Sequence, residues 1–145
     1  MSELFKVKTI DNGECGSLSI IEHDSNCEFD IKRVYYIHSA KKDSLRGFHA
    51  HHKLKQILIC TYGSIDIELD DGKEKKVITL DTPSKALFLN SLVWRTMKWN
   101  IDNSSLIVLA SDLYDESDYI RNYDDFLIAV ENNSKNKEKG EACED

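Results

Sequence analysis

The chain has 145 residues, of which 41% are hydrophobic and 31% are charged, and its net charge is −7 at pH 7. These values describe one soluble globular domain that is long enough to bury a core. They argue against non-specific binding to nucleic acid or to anionic membrane surfaces. No apolar run approaches the roughly 20 residues that span a bilayer, and the N-terminal MSELFKVKTI lacks the apolar core of a signal peptide.

The four cysteines, Cys15, Cys27, Cys60 and Cys143, are scattered along the chain and form no C-x-x-C pair. We therefore expect neither a disulfide framework nor a structural zinc site, and this usage is typical of the reducing cytoplasm. Cys60 lies in an apolar run, which predicts a small buried residue.

Short runs with the alternation or composition of β-strands follow one another along most of the chain. Within residues 57–80, Gly63 separates two strands, and DDG at 70–72 predicts a hairpin turn before the next strand. Short strands at this spacing predict an all-β sandwich or barrel. The runs cover residues 5–10, 17–22, 29–37, 57–80, 86–89, 92–99 and 105–110.

Residues 114–130 carry a different pattern. Apolar and aromatic residues recur there at helical spacing, from Tyr119 to Val130, and Asp115, Glu116 and Asp118 would lie near the helix start, where the helix dipole favours acids. The polar segment 132–145 has no periodicity, so we expect it to be disordered. Because there is no internal repeat and no linker, residues 1–131 are predicted to form a single domain.

Three of the five histidines lie in one short stretch, RGFHAHHKLKQ at residues 46–56. His49 and His51 are two residues apart, so in a strand their side chains point to the same side, whereas His52 has the opposite parity and is expected to face solvent. The spacing from His49 through Gln56 to Gly63 resembles the first motif of the cupin superfamily, H-x-H-x(3,4)-E-x(6)-G.

Metal-binding cupins use both histidines and the glutamate as ligands, and a second motif supplies a third histidine. Here Gln56 replaces the glutamate, and Phe88 stands about where the third histidine would fall. An amide oxygen is a weaker ligand than a carboxylate and a phenyl ring is none, so we expect no metal. The two histidines are then either acid–base groups or ordinary, partly buried histidines of a barrel.

The polar residues around the histidines favour the acid–base alternative. The run FDIKRVYYI places Arg33 and Tyr35 on one strand face and Tyr36 on the other, and Arg46 lies just before the histidines. A pocket that combines arginine, tyrosine, two histidines and Gln56 is poor as plain core. It suits a polar, anionic, hydroxyl-rich ligand.

Taken together, several motifs resemble the cupin-type nucleotide-sugar 3,4-ketoisomerases, which act on dTDP-4-keto-6-deoxyglucose. The similarity runs from about residue 5 to residue 130. The motifs are IKRVYYI at 31–37, RGFHAH at 46–51, Gln56, the LDDGK hairpin at 69–73, Trp94 with Met97, and LIVLASDLYDESDYIRNYDDF at 106–126.

This resemblance implies an all-β, cupin-type jelly-roll barrel with a short C-terminal helix, usually as a homodimer that exchanges N-terminal strands. It also implies the reaction: the keto group of dTDP-4-keto-6-deoxyglucose moves from carbon 4 to carbon 3 through an enediol, with neither a metal nor a redox cofactor. A 3-aminotransferase then consumes the product. The resulting 3-amino-3,6-dideoxy sugar enters lipopolysaccharide, including O-antigen, or another glycoconjugate.

By the same resemblance, His49 and His51 form the acid–base pair and Tyr35 donates a hydrogen bond to a sugar oxygen. A histidine base suits this step because its ordinary pKa is near neutrality. The spacing leaves open which histidine takes the first proton. Each arginine also fits a plain surface role. The expected contacts to the diphosphate come from Arg33, Arg46, Lys53 and Arg121, and those to the sugar end of the pocket from Arg95 and Gln56.

One departure from the family pattern lies at Cys15-Gly16, within DNGECGSLSIIE, the segment expected to be exchanged and to border the pocket. Relatives commonly carry arginine or another large residue before this glycine. A smaller group there, with Arg95 on the other side, affects which face of the enediol is protonated. Both the gluco and the galacto configuration at carbon 4 therefore stay open.

Three other functions are compatible with a cupin. A dTDP-4-keto-sugar 3,5-epimerase would use a similar barrel with histidine and tyrosine but would leave the ketone in place. A non-catalytic cupin that binds sugar nucleotides would need arginine and aromatic anchors, but not two histidines on one face. A metal-dependent dioxygenase would need a bound metal.

Overall fold

A computed structural model of the chain describes residues 2–142, with side chains up to Glu138. These residues form twelve strands, two single turns of 3-10 helix, Gly13–Cys15 and Glu116–Asp118, and one helix, α1 (Tyr123–Ala142). The strands are β1 (Ser2–Lys6), β2 (Lys8–Asp11), β3 (Ser17–Ile20), β4 (Arg33–Ile37), β5 (Leu45–His51), β6 (Gln56–Tyr62), β7 (Ile65–Asp70), β8 (Lys75–Leu80), β9 (Lys85–Leu89), β10 (Trp94–Trp99), β11 (Ser105–Ala110) and β12 (Tyr119–Ile120).

Ten of the strands form two five-stranded antiparallel sheets that face each other. The order is β1-β9-β6-β11-β4 in the first sheet and β12-β5-β10-β7-β8 in the second. The sheets are separate hydrogen-bonded ladders, so they enclose a sandwich and not a continuously closed barrel. This mostly β architecture with one C-terminal helix confirms the predicted fold class.

The main core lies between the two sheets, and strand alternation explains its composition. In β7, Ile65, Ile67 and Leu69 are buried while the residues between them are more exposed. Trp99 of β10 and Cys60 of β6 belong to the same cluster. The predicted burial of Cys60 is confirmed, at 1% exposure.

Each sheet is also covered on part of its outer face. Cys27 and Phe29, from the segment between β3 and β4, pack against Ile57 of β6. On the other sheet, Phe126 of α1 packs in one cluster with Ala50 of β5. The helix therefore supports, from behind, the strand that carries the histidine motif.

The turn between β6 and β7 requires Gly63. Its φ is +88°, a conformation that glycine adopts at low cost, and a Cβ at this position would lie 2.1 Å from Oγ of Ser104. Ser104 is fully buried, and its Oγ accepts a hydrogen bond from the backbone N–H of Ser64. This close approach is the physical reason for the glycine that ends the H-x-H motif.

The structure divides or shortens four of the predicted strands. The runs 17–22 and 92–99 each lose two residues, as β3 and β10. The run 5–10 becomes β1 and β2, because Val7 between them is buried and its N–H donates to the carbonyl of Ser84. The run 29–37 is a strand only from Arg33 onward. Phe29 instead belongs to the covering segment, where its carbonyl accepts a hydrogen bond from the Cys27 thiol.

The start of the C-terminal helix differs most from prediction. The helix begins at Tyr123, because Tyr119 and Ile120 pair instead with His51 and Ala50 of β5. Asp115 caps the preceding 3-10 turn by accepting a hydrogen bond from the backbone N–H of Ser117. Part of the helical spacing in 114–130 therefore belongs to a turn and a strand.

At its other end, α1 continues to Ala142, into the segment 132–145 that we expected to be disordered. Glu131 and Lys135, one turn apart, form an ion pair of 3.2 Å on its exposed surface, which favours a helix slightly. Residues 143–145 of the expected tail lie outside the described residues, and the domain boundary at residue 131 stays a prediction. Within the described part of the chain, no helix is both long and apolar enough to cross a membrane.

Strands β2 and β3 form a separate hairpin that pairs with neither five-stranded sheet. All of β2 and most of β3 are exposed. Ile10 and Leu18 lie directly opposite each other in this hairpin, with exposures of 47% and 52%. An isolated two-stranded hairpin is only marginally stable in water, so we expect the β2–β3 hairpin to pack against a partner surface.

Candidate active site

Polar side chains from four strands meet in the space between the two sheets. Tyr35 comes from β4, His49 and His51 from β5, Gln56 from β6 and Arg95 from β10. His51, Gln56 and Arg95 are at most 3% exposed. Buried polar groups of this kind cost free energy unless they are paired, so their concentration at one place marks a candidate site.

A bulge in the RGFHAH motif sets the local path of β5. Arg95 lies opposite His49 and Thr96 lies opposite Gly47, so Phe48 between them has no partner on β10. Phe48 has a φ of +59°. A Cβ on Gly47 would lie 2.7 Å from the carbonyl oxygen of Arg95. The glycine therefore permits the close approach of β10 that brings Arg95 beside the histidines.

His49 and His51 point into the same space, which confirms the parity prediction. Their ring centroids are 4.9 Å apart and the ring planes meet at 87°. Nδ1 of His49 lies 3.1 Å from the carbonyl oxygen of Gly47. Nδ1 of His51 lies 3.3 Å from Oδ2 of Asp118, close enough for an ion pair, but the alignment is not that of a hydrogen bond. His52 is exposed, as predicted.

Both histidines are neutral at pH 7 in the folded protein. Burial lowers the pKa of His49 to about 4, and the charge of Arg95 adds to the shift. Burial and then Arg95 lower the pKa of His51 to about 2. A neutral imidazole has a nitrogen free to accept a proton. The lowered pKa also makes each ring a weaker base, so an imidazolium formed here gives its proton back readily.

A hydrogen-bonded chain runs from Arg95 to Tyr35. Nη1 of Arg95 donates to Oε1 of Gln56, and Nε2 of Gln56 donates to the Tyr35 hydroxyl at 2.9 Å. Burial raises the pKa of Tyr35, so its hydroxyl stays protonated and can donate a hydrogen bond of its own. The other contacts of Arg95 are to the carbonyl of Val93, at 3.4 and 3.2 Å.

Gln56 serves two partners that a glutamate could not serve. Its oxygen accepts from Arg95 and its NH₂ donates to Tyr35, whereas an ionised carboxylate only accepts. A glutamate would also neutralise Arg95. Burial lowers the pKa of Arg95 only to about 10, so the guanidinium keeps its charge at pH 7. The amide therefore leaves a charged arginine available to a ligand.

The expected place of the third cupin histidine is not in this pocket. Phe88 packs on the outer face of the first sheet, with its ring centroid 6.4 Å from that of Phe29. Its neighbours Leu87 and Leu89 are the residues of β9 that face the core. Among the side chains that the structure describes, those of residues 2–138, no group of three or more histidine, cysteine, aspartate or glutamate residues could hold a metal ion.

Two recesses connect the histidines with the surface. The first, of about 530 Å³, reaches His51, and the second, of about 420 Å³, reaches His49. Arg33 and Tyr119 line both. The ring centroid of Tyr119 is 4.4 Å from that of His51 and 5.1 Å from that of His49, so this ring lies against both bases.

The predicted cationic residues lie around these two recesses. Lys53 lines the first, Arg46 and Arg121 line the second, and Arg33 lines both. Arg121 lies over the Tyr119 ring, 4.3 Å from its centroid. The lining of the second recess contains no carboxylate, but Arg121 donates hydrogen bonds of 2.8 and 3.0 Å to Glu116 beside it. Arg33 and Arg46 therefore supply the positive charge there that favours an anionic ligand.

The sequence did not assign Asp118 to the site, and it placed Tyr119 on a helix. Asp118 lies in the 3-10 turn before β12, and Tyr119 pairs with His51 in the strand ladder. These residues are more than 60 positions from the histidines in the chain. The one available signal was the YDESDYI segment within the family-like motif.

Comparison with known proteins identifies relatives over most of the chain. A family described as "FdtA: WxcM-like, C-terminal" matches residues 1–131. A TDP-4-oxo-6-deoxy-alpha-D-glucose-3,4-oxoisomerase from Aneurinibacillus thermoaerophilus is 50% identical over 111 residues, which are 77% of this chain and 80% of that protein.

Solved structures agree with this comparison. A sugar 3,4-ketoisomerase from Thermoanaerobacterium thermosaccharolyticum, solved in complex with TDP, has a TM-score of 0.86 and 45% identity, with 91% of this chain and 96% of that chain covered. A histidine-to-asparagine variant of that enzyme, solved with TDP-4-keto-6-deoxyglucose, also has a TM-score of 0.86 and 45% identity, covering 90% of this chain and 94% of that chain.

Proposed function

Because this chain belongs to the family described as "FdtA: WxcM-like, C-terminal", we propose that it is an isomerase that converts dTDP-4-keto-6-deoxy-D-glucose into a dTDP-3-keto-6-deoxyhexose. The observation that carries the proposal is the pair of neutral histidines, His49 half-buried and His51 buried, beside Tyr35 and Arg95. Sequence similarity supports the same assignment, because the chain is 45–50% identical to enzymes of this reaction class.

The reaction needs a base, an acid and a group that stabilises negative oxygen. A histidine takes the proton from carbon 3, and the electrons of that C–H bond form the enediolate as oxygen 4 gains negative charge. A proton is then delivered to carbon 4, and the hydroxyl on carbon 3 gives up its proton to oxygen 4, so that carbon 3 becomes the ketone and carbon 4 carries the hydroxyl. No electron leaves the substrate, so the balance requires no redox cofactor. His49 and His51 supply the proton transfers.

Stabilisation of the enediolate is assigned to Arg95 and Tyr35. A buried cation next to developing negative charge acts in a low dielectric, where its effect is larger than in water. The Tyr35 hydroxyl accepts from Gln56 and so has its hydrogen free for a sugar oxygen. Gln56 thus holds the two groups in place and contacts the sugar end of the pocket.

The diphosphate is assigned to the cations at the recess mouths. Arg33, Arg46 and Arg121 share the second recess, where a guanidinium can bind a phosphate through two parallel hydrogen bonds. Lys53 adds positive charge at the first recess. The ligand is therefore a dTDP-linked keto sugar whose sugar lies at the histidines and whose diphosphate lies toward the surface.

The lowered histidine pKa values predict an unusual acid limb for kcat/KM, which reports groups of the free enzyme. An ordinary histidine base would lose activity below its pKa of 6.5. Here the neutral forms persist, so we expect kcat/KM to stay within about twofold down to about pH 5.5 and to fall only near the pKa of His49, about 4. An acid limb near pH 6.5 would contradict this.

The pH profile needs a folding control, because the same shifts are linked to stability. The folded pKa of each histidine is below its unfolded value of 6.5, so the stabilising contribution is complete above pH 6.5 and is lost as the pH falls toward the folded values. Circular dichroism at each pH distinguishes loss of the base from loss of the fold.

A homodimer is proposed from the β2–β3 hairpin. The hairpin exposes Ile10 and Leu18, and β4, an edge strand that carries Tyr35, exposes Val34 and Tyr36 by 56% and 64%. A second copy of the chain would cover such surfaces, and an exchanged arm would bring Cys15 toward the pocket. Apolar surface of this kind on an unpaired hairpin favours association.

Replacing Ile10 and Leu18 together by serine is expected to raise the dissociation constant of the dimer by about 10²–10⁴-fold. The two copies together lose four apolar side chains, each about half exposed in the single chain, and full burial of one such side chain contributes roughly 1.5–3 kcal/mol. Light scattering after gel filtration measures this directly. Val77→Ser, which changes an exposed apolar residue of β8, is the matched control. Equal masses for the wild type and the double variant, at every concentration, would contradict the proposed interface.

The chemistry also predicts the neighbouring step. A 3-keto sugar is the substrate that a 3-aminotransferase requires, and the aminated product suits a lipopolysaccharide or another glycan. The free cysteines Cys15, Cys27 and Cys60 support a reducing compartment, so we assign the reaction to the cytoplasm. Incubation of the protein with dTDP-4-keto-6-deoxyglucose and a 3-aminotransferase tests this: a 3-amino product supports the function, and an unmoved ketone with inverted carbons indicates a 3,5-epimerase.

A further inference from the structure

His51 is a buried base with no hydrogen-bond partner among the described residues. It is 1% exposed, and neither Nδ1 nor Nε2 makes a hydrogen bond. A buried ring nitrogen without a partner has lost its hydrogen bond to water and gained none in return, which costs free energy. Burial lowers the pKa of His51 most, followed by Arg95 and His49, with smaller contributions from Arg33 and Arg121. An imidazolium formed here during a reaction therefore needs a nearby anion.

Asp118 is the carboxylate closest to meeting that need. Its Oδ2 lies 3.3 Å from Nδ1 of His51, and its side chain is only 16% exposed. In unliganded enzymes, catalytic hydrogen bonds are often poorly aligned and tighten when the substrate binds. A small rotation of either side chain would turn this contact into a hydrogen bond.

The position of Asp118 is fixed by the chain that follows His51. Its Oδ1 accepts the backbone N–H of Lys53 at 2.9 Å and its Oδ2 accepts that of Leu54 at 3.2 Å. Its carbonyl oxygen accepts the N–H of His52 at 3.0 Å. Three consecutive backbone donors therefore hold the 3-10 turn against the end of β5, and the carboxylate cannot move far from the imidazole.

From this geometry we propose that Asp118 is a positioning residue for His51, whose carboxylate holds the hydrogen on Nδ1 and leaves Nε2 free to accept a proton from the sugar. This role deepens the proposed isomerase function, and its kinetic part rests on that function. When Nε2 gains the proton, the carboxylate balances the new charge. In such a pair, the hydrogen bond at one ring nitrogen determines that the other nitrogen is the one that exchanges protons.

His49 has a different anchor and supplies an internal control. Its Nδ1 lies 3.1 Å from the backbone carbonyl of Gly47, which no side-chain substitution removes. In both histidines an oxygen near Nδ1 orients the ring. For His49 it is a backbone carbonyl oxygen, and for His51 it is a carboxylate oxygen. Only the His51 anchor is sensitive to a change at residue 118.

Asp118→Asn tests the role with little change in shape. The remaining oxygen still accepts one backbone N–H, but the NH₂ group donates to Nδ1 of His51 and moves the ring hydrogen to Nε2. We expect kcat for dTDP-4-keto-6-deoxyglucose to fall by about 10²–10³-fold with KM changed less than about threefold, because a base with the wrong tautomer cannot take the proton. Asp71→Asn is the matched control, since Asp71 accepts two backbone N–H groups in the β7–β8 turn and lines neither recess.

Nitrogen NMR of the histidine rings in the intact protein separates positioning from plain structural support. The expected result is a hydrogen on Nδ1 of His51 in the wild type and in Asp71→Asn, its transfer to Nε2 in Asp118→Asn, and an unchanged His49 in all three. A wild-type His51 with the hydrogen on Nε2, or a full-rate Asp118→Asn enzyme, overturns the proposal. The tautomers are read without substrate, so a wild type with the expected tautomers that fails to isomerise the sugar counts against the proposed function and not against the Asp118 contact.

Discussion

Replacement of His49 or of His51 by asparagine is expected to lower kcat by about 10²–10⁴-fold in each variant, with KM changed less than about threefold. The two neutral imidazoles, whose centroids are 4.9 Å apart, are the bases closest to the buried Arg95 and Tyr35. Asparagine leaves the charge unchanged at pH 7 and cannot accept a proton from carbon. The loss should therefore fall on the chemical step.

His52→Asn is the matched control, because His52 follows the same strand but is exposed. It should turn over at the wild-type rate. Calorimetric titration with dTDP should give the same affinity for all three variants, since the diphosphate is assigned to the arginines at the recess mouths. Wild-type turnover by either the His49 or the His51 variant would remove that residue from the mechanism.

Arg95→Met is expected to separate activity from stability. The guanidinium is 3% exposed and lies within ion-pair distance of no carboxylate of residues 2–138, whose side chains the structure describes. Replacing a buried, unpaired charge with an apolar side chain of similar length removes the cost of burying that charge. Gln56 in turn loses a donor, at a cost of about 1–3 kcal/mol. We expect the free energy of unfolding to change by less than about 2 kcal/mol, while kcat/KM falls by about 10²–10³-fold.

The pH profile gives a second readout for the same variant. Arg95 lowers the pKa of both histidines, so its removal should move the acid limb of kcat/KM toward neutral pH. Lys98→Met, on the exposed face of the same strand, should change neither the rate nor the profile. If Arg95→Met unfolds the protein or keeps full activity, Arg95 is a structural cation and not a group held for the ligand.

The part of the site that the sequence predicted is the part determined by local spacing. His49 and His51 face one way because strand side chains alternate, and Arg33 and Tyr35 share a face of β4 for the same reason. The sequence alone showed that Gln56 replaces a glutamate. Only the structure shows what the amide does, because the Arg95–Gln56–Tyr35 hydrogen bonds join three different strands and cannot be predicted from residue spacing.

The part that the sequence could not predict depends on distant backbone pairing. Tyr119 and Ile120 have helical spacing with Tyr123 and Phe126, yet they form a strand because β5 offers a free edge at His51 and Ala50. Asp118 enters the site only through that pairing. Phe48 is another example, because its positive φ follows from the bulge opposite Thr96 and not from its own preference. The hairpin β2–β3 was predicted as strands, but its separation from both sheets follows from topology.

Solvent-isotope labelling of the product shows whether the histidine pair moves the ketone by proton transfer. The protein is incubated in deuterated water with dTDP-4-keto-6-deoxyglucose and a 3-aminotransferase, and the product is analysed by NMR. We predict a 3-amino sugar that carries deuterium on carbon 4, whose configuration the same spectrum gives. Recovered substrate with no deuterium at carbon 3, despite binding of dTDP, would contradict the account.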